Sequence, residues 1–471
     1  MLGDRAAPYP TAFPQPNHAE QDPRAWWEAA GAACKGALEA AGAGPADIIA
    51  VCADTTCCTV VIAGADGEAL RPCLLWMDVR ASAEADAVAA TGDEALRVNS
   101  AGAGPVSAEW MIPKALWLKR HAPEFKDAKV VCEYQDWLNW KLTGRWTASL
   151  NNAAVRWHHA GGPPLGLLEK AGIPELAELW PAEVLAPGAV AGELTAAAAA
   201  HTGLRAGTPV VQGGADAFIG MIGLGVAAPG DVALITGSSH LQLMVADQAF
   251  NGAGVWGTYA DAVYPGRHIL EGGQTSTGSV INWFKKNFAA KTDYAELNAA
   301  AAAIAPGCDG LLSQDHFQGN RTPYTDPHSA GALVGLSLAH GPAHVYRAII
   351  EGVCLGTKLV IDSFAAAREP ARIVIAGGAT NSDLWMQIHA DTLGLPIQRT
   401  KVAAAPLLGC AILAAAGAGR FGDIDAGCAA MVHPAAEGPV EPDQEATAAY
   451  AAVYERYRKL YPALRPFSAK A

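Results

Sequence analysis

The fold is decided by residues 210–245, VVQGGADAFIGMIGLGVAAPGDVALITGSSHLQLMV, whose first half predicts a strand that turns into a helix. Val210 and Val211 predict the end of a buried strand, Gly213-Gly214 predicts a sharp turn, and 217–224 predicts an apolar helix. Asp216 therefore stands at a strand-to-helix corner.

The second half of the same stretch predicts a β-hairpin. Apolar residues alternate over 232–236 and again over 241–245, and this pattern indicates two strands. The residues between them, Gly237-Ser238-Ser239, predict a tight turn, which we call the serine turn. The tip of the hairpin is thus small and hydroxylated.

A corner carboxylate and a small hydroxylated turn suit phosphoryl transfer to an alcohol. The alcohol needs an acceptor for its proton, which Asp216 supplies, and the phosphates need donors at close range. Backbone N–H groups of the serine turn form an anion-binding nest, and the hydroxyls of Ser238 and Ser239 add donors. Two structural alternatives stay open here: Asp216 as a helix N-cap, and the serine turn as an ordinary hairpin tip.

Composition bounds the class of protein. The 471 residues are enough for two domains, and 51% apolar with 17% charged residues is typical of a globular protein. The net charge of -13 argues against nucleic acid and anionic membranes as partners, although a local pocket for ATP remains compatible with it. Ten scattered cysteines without a C-x-x-C pair, and no secretory signal, predict reduced thiols and a cytoplasmic location.

Competing patterns fit poorly. The phosphate-binding pattern G-x-x-x-x-G-K-[ST] is absent, and Gly223 and Gly225 match a dinucleotide fingerprint only loosely, after a helix instead of a strand. The uncharged run 402–419 contains Pro406 and predicts a buried helix, not a membrane span.

Further motifs follow in a fixed order: EGGQTSTGSVINWF at 271–284, GNRTP at 319–323 and IAGGATNSDLWMQIHAD at 375–391. Together with GGADAFIG and ITGSSH, they resemble the FGGY family of carbohydrate kinases. DTTCC at 54–58 and LLWMDVRA at 74–81 resemble its ribulokinase-like branch. The resemblance implies an α/β fold of two actin-like (ribonuclease H-like) domains flanking a cleft, with a sugar-binding domain over 1–206 and an ATP-binding domain over 207–471.

The resemblance also implies a reaction, the ATP-dependent phosphorylation of a ketopentose of the ribulose type at a terminal hydroxyl, with Mg²⁺ on the phosphates. Asp216 would be the general base. The residues implied to hold the sugar are Asp54, Thr55, Arg156, Glu271 and Gln274. The residues implied to face ATP are Gly237, Ser238, Ser239, Gly377, Gly378, Asn381 and Gly409. A kinase for another sugar or polyol (xylulose, erythritol or a glycerol-like acceptor), a non-catalytic sugar- or nucleotide-binding relative, and a homodimer all stay open.

Several of these residues also have structural interpretations. Asp54 either accepts two sugar hydroxyls or caps a turn, and Glu271 either reads a hydroxyl or is an acid favoured by the dipole of the following helix. Ribulokinase-like members commonly carry Lys where this chain has Arg156, which leaves the sugar open. Asp78 and Arg80 predict a structural ion pair, and His158-His159, with no third metal ligand at suitable spacing, are predicted at the surface.

The beginning of the chain departs from the family pattern. Residues 1–23 are Pro-rich and lead into a helix with Asp22 as N-cap and Pro23 at its first position. Family members enter this segment from a β-hairpin with an Asp-x-Gly-Thr phosphate motif, which is missing here. We therefore expect either that the reading frame begins further upstream or that the protein is shortened, and that without the hairpin it would be inactive or poorly soluble.

Overall fold

Strands and helices alternate along residues 2–102, 104–252 and 254–468, the part of the chain that the computed structural model describes. The strands are β1 (Glu20–Gln21), β2 (Val51–Cys52), β3 (Val60–Ala63), β4 (Cys73–Leu74), β5 (Val130–Glu133), β6 (Ala148–Ser149), β7 (Val184–Leu185), β8 (Val190–Glu193), β9 (Pro209–Val211), β10 (Asp231–Thr236), β11 (His240–Ala246), β12 (Gly257–Ala260), β13 (His268–Gln274), β14 (Leu312–Gln314), β15 (Ala332–Val334), β16 (Arg372–Gly377) and β17 (Ile397–Gln398).

The helices lie mostly between these strands and cover the sheets. They are α1 (Pro23–Ala41), α2 (Ser82–Ala90), α3 (Met111–His121), α4 (Tyr134–Thr143), α5 (Leu150–Arg156), α6 (Leu165–Ala171), α7 (Leu176–Leu179), α8 (Ala196–Thr202), α9 (Asp216–Gly223), α10 (Gly278–Phe288), α11 (Tyr294–Ala302), α12 (Pro342–Ala365), α13 (Asp383–Leu393), α14 (Ala405–Gly417), α15 (Ile424–Met431), α16 (Gln444–Tyr457) and α17 (Leu460–Leu464). Among the described residues, no helix is both long enough and apolar enough to cross a bilayer.

The largest sheet belongs to the second half of the chain and runs in the order β12-β13-β11-β10-β16-β17. The predicted hairpin is confirmed, because β10 and β11 pair antiparallel from Val232 to Thr236. β10 also pairs parallel with β16, and this ladder ends at Thr236 and Gly377. Since both strands end at the same edge, the serine turn and the turn that begins at Gly377 lie side by side.

The first half holds a four-stranded sheet, β1-β4-β3-β5, and a three-stranded sheet, β2-β9-β8. β9 lies beyond the predicted division at 206/207, yet it pairs with β2 and β8 of the first half. Shortly before this division lies α8, where the His201 ring hydrogen bonds to the backbone carbonyl of Trp27 (2.8 Å). The division at 206/207 stays a prediction, and strand pairing favours a junction after β9.

The core of the second half forms between the large sheet and α12. The spacing of apolar residues over 346–364 predicts a helix with one apolar face, and the structure confirms this, since Ile349, Val353 and Val360 are all buried. Burying such side chains contributes roughly 1.5–3 kcal/mol each, which makes α12 the main support of the sheet.

The prediction of a surface position for His158 is wrong. His158 is only 4% exposed and packs edge-on against Trp110, with ring centroids 5.4 Å apart. The chain reverses at His158 (φ 55°) directly after α5 and folds the ring into the core, where burial lowers its pKa to about 4. His158 lines a cavity of about 840 Å³ against β12, to which none of the predicted site residues contributes.

Candidate active site

The corner that carries Asp216 is fixed by the loop that leaves β2. A side chain at Gly213 would put its Cβ 1.9 Å from the carbonyl oxygen of Ala53, so only glycine permits this approach. The Thr55 N–H donates to the Gly214 carbonyl (3.1 Å), and the Asp216 N–H donates to the Thr55 carbonyl (2.9 Å). The two loops therefore run together and hold Asp216 beside Asp54 and Thr55.

The Asp216 side chain is exposed, and one of its oxygens accepts the N–H of Ala217 (2.7 Å). Asp216 is the first residue of α9, and Ala215 occupies the N-cap position. Surrounding protein displaces bulk water and raises the pKa of Asp216, and the nearby Asp54 carboxylate raises it further. A carboxylate with a raised pKa is a stronger base, as proton abstraction from an alcohol requires.

Asp54 and Thr55 are the predicted sugar ligands of the first half. Asp54 is half-buried, and its Oδ1 lies 3.5 Å from the Cys410 thiol of α14. Burial raises the pKa of the Asp54 carboxyl, an effect that the Cys410 hydrogen bond partly offsets. The buried Thr55 hydroxyl has no hydrogen-bond partner among the described residues. Both side chains therefore retain capacity for a ligand hydroxyl.

Arg156 and Glu271, 115 residues apart, form a buried bidentate pair with N–O distances of 2.9 and 2.6 Å. Tyr259 joins them, because its hydroxyl accepts from Arg156 (2.9 Å) and donates to Glu271 (2.5 Å). Burial opposes ionisation of Glu271, which is 0% exposed. The Arg156 charge and the hydrogen bonds from Arg156 and Tyr259 together outweigh this effect and lower the pKa of the Glu271 carboxyl. The two predicted sugar ligands thus meet at one place, together with a tyrosine that the sequence analysis missed.

Helix α5 contributes two further polar residues that the sequence analysis did not select. The Asn151 amide donates to the Ala262 carbonyl (2.8 Å) and accepts the Ala215 N–H (2.9 Å), so it braces the Asp216 corner. Asn152 is buried, and neither atom of its amide has a partner among the described residues. Because Asn152 lies four residues before Arg156, both side chains lie on the same face of the helix. The helical spacing of polar residues over 151–157 is the feature of the sequence that indicates Asn152.

The structure does not support Gln274 as a sugar ligand. Gln274 is 2% exposed, and its Nε2 donates to Asp315 (2.8 Å) and to the Val353 carbonyl (2.9 Å). Its Oε1 accepts from Gln242 (2.9 Å) and Thr357 (2.7 Å), so the amide is fully used within the domain. Residues 271–274 end β13, where side chains three apart point to opposite faces, so Gln274 points away from Glu271.

The serine turn is exposed and offers free donors. Within the described ranges, no hydrogen bond uses the N–H groups or the hydroxyls of Ser238 and Ser239. The turn is held from behind, because the Thr277 N–H donates to the Ser238 carbonyl (3.0 Å) and the Gly278 N–H donates to the Gly237 carbonyl (3.2 Å). Donors that are free and fixed are what an anion requires.

The turn at Gly377 is tied to the serine turn through Thr236. The Thr236 hydroxyl donates to the Ala376 carbonyl (2.8 Å) and accepts the Ala379 N–H (3.0 Å). Gly377 itself has a left-handed backbone (φ 97°), and a Cβ there would lie 1.8 Å from the Thr236 carbonyl oxygen. Glycine is therefore required at 377 for both conformation and space.

A cavity of about 540 Å³ opens beside the Gly377 turn, a size within the range of small-ligand pockets. Two residues predicted to face ATP, Gly377 and Asn381, line it, and Gly378 is exposed in the same turn. Gly409 has a different place: it is buried where α14 crosses α9, and a Cβ there would lie 2.1 Å from the Ile219 carbonyl oxygen. The structure thus gives Gly409 a role in helix packing and not in the cavity.

Replacing Gly377 by alanine is expected to weaken use of ATP without affecting the sugar. Backbone strain of roughly 1–3 kcal/mol displaces the turn, so we expect kcat/KM for ATP to fall about 10- to 100-fold. Gly422→Ala is the matched control, because Gly422 is exposed outside the proposed site and a Cβ there meets nothing within 4 Å. Steady-state kinetics with varied ATP and saturating sugar would measure both variants. Equal behaviour of the two variants would contradict the assignment of this turn to the nucleotide.

Both halves of the chain match the same protein family. Residues 1–223 match the N-terminal domain, and residues 232–418 the C-terminal domain, of the FGGY family of carbohydrate kinases. A ribulokinase of Shouchella clausii is 31% identical, with 90% of this chain and 82% of the relative covered. A ribulokinase of Mycolicibacterium smegmatis is 32% identical, with 90% and 81% covered.

The crystal structure of a xylulose kinase from Rhodospirillum rubrum is similar throughout. It has a TM-score of 0.86 and 29% sequence identity, with 98% of this chain and 93% of that chain covered. This likeness and the matching family models confirm the predicted fold class, two actin-like α/β domains flanking a cleft.

Proposed function

Since the chain belongs to the FGGY family of carbohydrate kinases, we propose that it transfers the γ-phosphoryl group of ATP to a terminal hydroxyl of a ribulose-type ketopentose. Family membership by itself establishes the type of reaction but not the identity of the sugar. The chain is a sugar kinase, a phosphotransferase whose small-molecule partners are a sugar and ATP.

The proposal rests on the Asp216 carboxylate. Asp216 is exposed, its backbone N–H is hydrogen bonded to the Thr55 carbonyl, and its surroundings raise the pKa of its carboxyl. In the proposed reaction Asp216 accepts the proton of the attacking sugar hydroxyl as the bond from that oxygen to the γ-phosphorus forms. The bond from the γ-phosphorus to the β,γ-bridging oxygen breaks, and ADP leaves. The N–H groups and hydroxyls of Ser238 and Ser239 bind the phosphates, and the turn beginning at Gly377 binds the rest of the nucleotide. Rigid positioning supplies most of the catalysis in phosphoryl transfer, and both turns are held through Thr236.

For the sugar, we propose that Asp54, Thr55, Arg156 and Glu271 form the binding site. Asp54 and Thr55 adjoin the Asp216 corner, and Arg156 of the first half pairs with Glu271 of the second half. The ketopentose is supported by the two ribulokinases at 31% and 32% identity. The similar xylulose kinase structure makes xylulose the nearest alternative.

We further propose that Mg²⁺ accompanies ATP. Mg²⁺ prefers oxygen ligands and is commonly held by one or two carboxylates together with substrate phosphates. Asp54, beside the Asp216 corner, supplies one such carboxylate, so the donor set fits the ion while Asp216 stays free to accept the proton. When bound, the ion would neutralise charge on the phosphates, while the protein residues orient the sugar and hold its proton.

A substrate screen tests the proposal. We expect ADP release to depend on sugar, with the highest kcat/KM for a ketopentose among D- and L-ribulose, D- and L-xylulose, erythritol and glycerol. Phosphorus NMR of the product should show a phosphate ester on a terminal carbon. A higher kcat/KM for a polyol would contradict the ketopentose, and no sugar-dependent ADP release with any acceptor would contradict kinase activity of this chain.

A further inference from the structure

Lys114 is a charged residue outside the proposed site that is completely buried. It lies in α3 among buried apolar residues and is 0% exposed. A buried ammonium group is costly unless it is paired, and lysine is almost never fully buried without a partner. No carboxylate forms an ion pair with Lys114 in the described part of the chain. Other groups must therefore compensate the charge.

Backbone carbonyl groups take that role. The Lys114 ammonium donates to the carbonyl oxygens of Cys58 (2.8 Å), Trp76 (3.4 Å) and Leu75, which uses all three of its N–H groups. These carbonyls belong to the two segments that flank β3 and β4. The strands pair only at Val60 and Leu74, so their ladder does not reach Cys58 or Leu75. Lys114 thus connects the segments beyond the point at which strand pairing stops.

The backbone at Cys58 is strained and is held from both sides. Its φ of 60° lies in the left-handed region, which a residue with a Cβ enters only at a cost of about 1–3 kcal/mol. On the side opposite Lys114, the buried Glu133 carboxyl accepts the N–H groups of Cys58 (3.1 Å) and Thr59 (3.2 Å). Such strain persists only where the surroundings impose it, and it concentrates at functional sites.

The segment that contains Cys58 leads directly to the proposed site. Four residues before Cys58, Asp54 begins the loop whose Thr55 backbone binds the Asp216 corner. A displacement of Cys58 would therefore shift the loop that carries Asp54 and Thr55. On the other segment, Trp76 and Met77 leave 43% and 39% of their surfaces exposed, although both are large and apolar.

We propose that Lys114 is a positioning residue for the sugar site, which fixes the Asp54 loop and the Trp76 segment in a single arrangement. This inference rests on the proposed function. Lys114 contacts neither reacting group, and it acts through the carbonyls of Cys58, Leu75 and Trp76.

Lys114→Met tests the inference, because methionine has a similar length and no N–H donors. We expect KM for the sugar to rise about 10- to 100-fold, as for a displacement of roughly 1 Å in a binding site. KM for ATP should stay unchanged, since the serine turn and the Gly377 turn belong to the other domain. A purely structural defect would lower the amount of folded enzyme, and with it the apparent kcat, but would leave KM for the sugar unchanged.

Leu116→Ala is the matched control on the same helix, because Leu116 is buried and makes only apolar contacts with the core. It should lower Tm without raising KM for the sugar. A normal sugar KM in Lys114→Met, or an equal rise in Leu116→Ala, would overturn the inference. If Lys114→Met does not fold, Lys114→Arg keeps the charge but not the three contacts, and an unchanged sugar KM in that variant would overturn it as well. If the wild-type protein itself shows no sugar-dependent ADP release, that result would instead refute the proposed function.

Discussion

Asp216→Asn is expected to lower kcat for sugar-dependent ADP release by roughly 10²- to 10⁴-fold, the usual contribution of a positioned general base. Asparagine has the same shape and can still accept the N–H of Ala217, so the start of α9 is preserved. It cannot accept the proton of the sugar hydroxyl. KM or the dissociation constant for the sugar should change little, because the proposed contacts to Asp54 and Arg156 remain.

The pH dependence of kcat follows from the same carboxylate. Its active form is the ionised one, and desolvation by the surrounding protein, together with the nearby Asp54 carboxylate, raises the pKa of Asp216. Activity should therefore be present at high pH and be lost as the pH falls through this raised pKa, at a higher pH than an ordinary Asp, whose pKa is about 3.9, would give. The acid limb should vanish from the residual activity of Asp216→Asn.

Two measurements decide this prediction. A coupled ADP assay gives kcat for both proteins, and calorimetric titration with the preferred sugar shows whether binding is retained. Thermal unfolding with equal Tm would establish that the variant is folded. Wild-type turnover in Asp216→Asn would mean that the carboxylate only stabilises the start of the helix, and the assignment of a base would fail.

Local pattern was enough to predict the elements around the site. The apolar alternation over 232–245 predicts the hairpin, and the glycines at 213 and 214 predict the Asp216 corner. Both predictions are confirmed. Helix α12 was likewise predicted from its apolar period. In each case the residues that determine the structure of the element lie close together in the sequence.

Tertiary partners were not predictable in this way. Nothing near Arg156 indicates that its carboxylate partner is Glu271, or that Tyr259 completes the group. Gln274 illustrates this limit, since β13 extends through residue 274 and so places Glu271 and Gln274 on opposite faces. Gly409 shows a further limit, because close approach to a ligand and close approach of two helices both demand glycine.

The pair of Arg156 and Glu271 is expected to be strongly coupled in stability. Arg156→Met or Glu271→Gln alone removes one partner of a buried pair, and such a change costs roughly 3–5 kcal/mol because the remaining group loses its compensation. The double variant should recover much of this loss, since neither uncompensated charge is left. Thermal unfolding of the four proteins forms a double-mutant cycle, in which additive losses would contradict the coupling.

A second buried group provides the matched control. In α12, Arg347 donates to Glu351 (2.7 Å) and to the Tyr450 hydroxyl (2.9 Å), and that tyrosine donates to Glu351 (2.9 Å). This arrangement repeats the chemistry of Arg156, Glu271 and Tyr259 away from the proposed site. Arg347→Met should therefore lower Tm by a similar amount without any change in KM for the sugar.

The activity of the Arg156 variants separates a sugar contact from a structural role. Arg156→Lys keeps the positive charge but loses the planar fork that binds Glu271 at two points, so the polar groups offered to the sugar are rearranged. Because unpaired buried polar groups discriminate strongly between hydroxyl patterns, the order of kcat/KM across ribulose, xylulose and their enantiomers should change. If Arg156→Lys loses stability but keeps the preference order of the wild type, the pair holds the domains together and does not read the sugar.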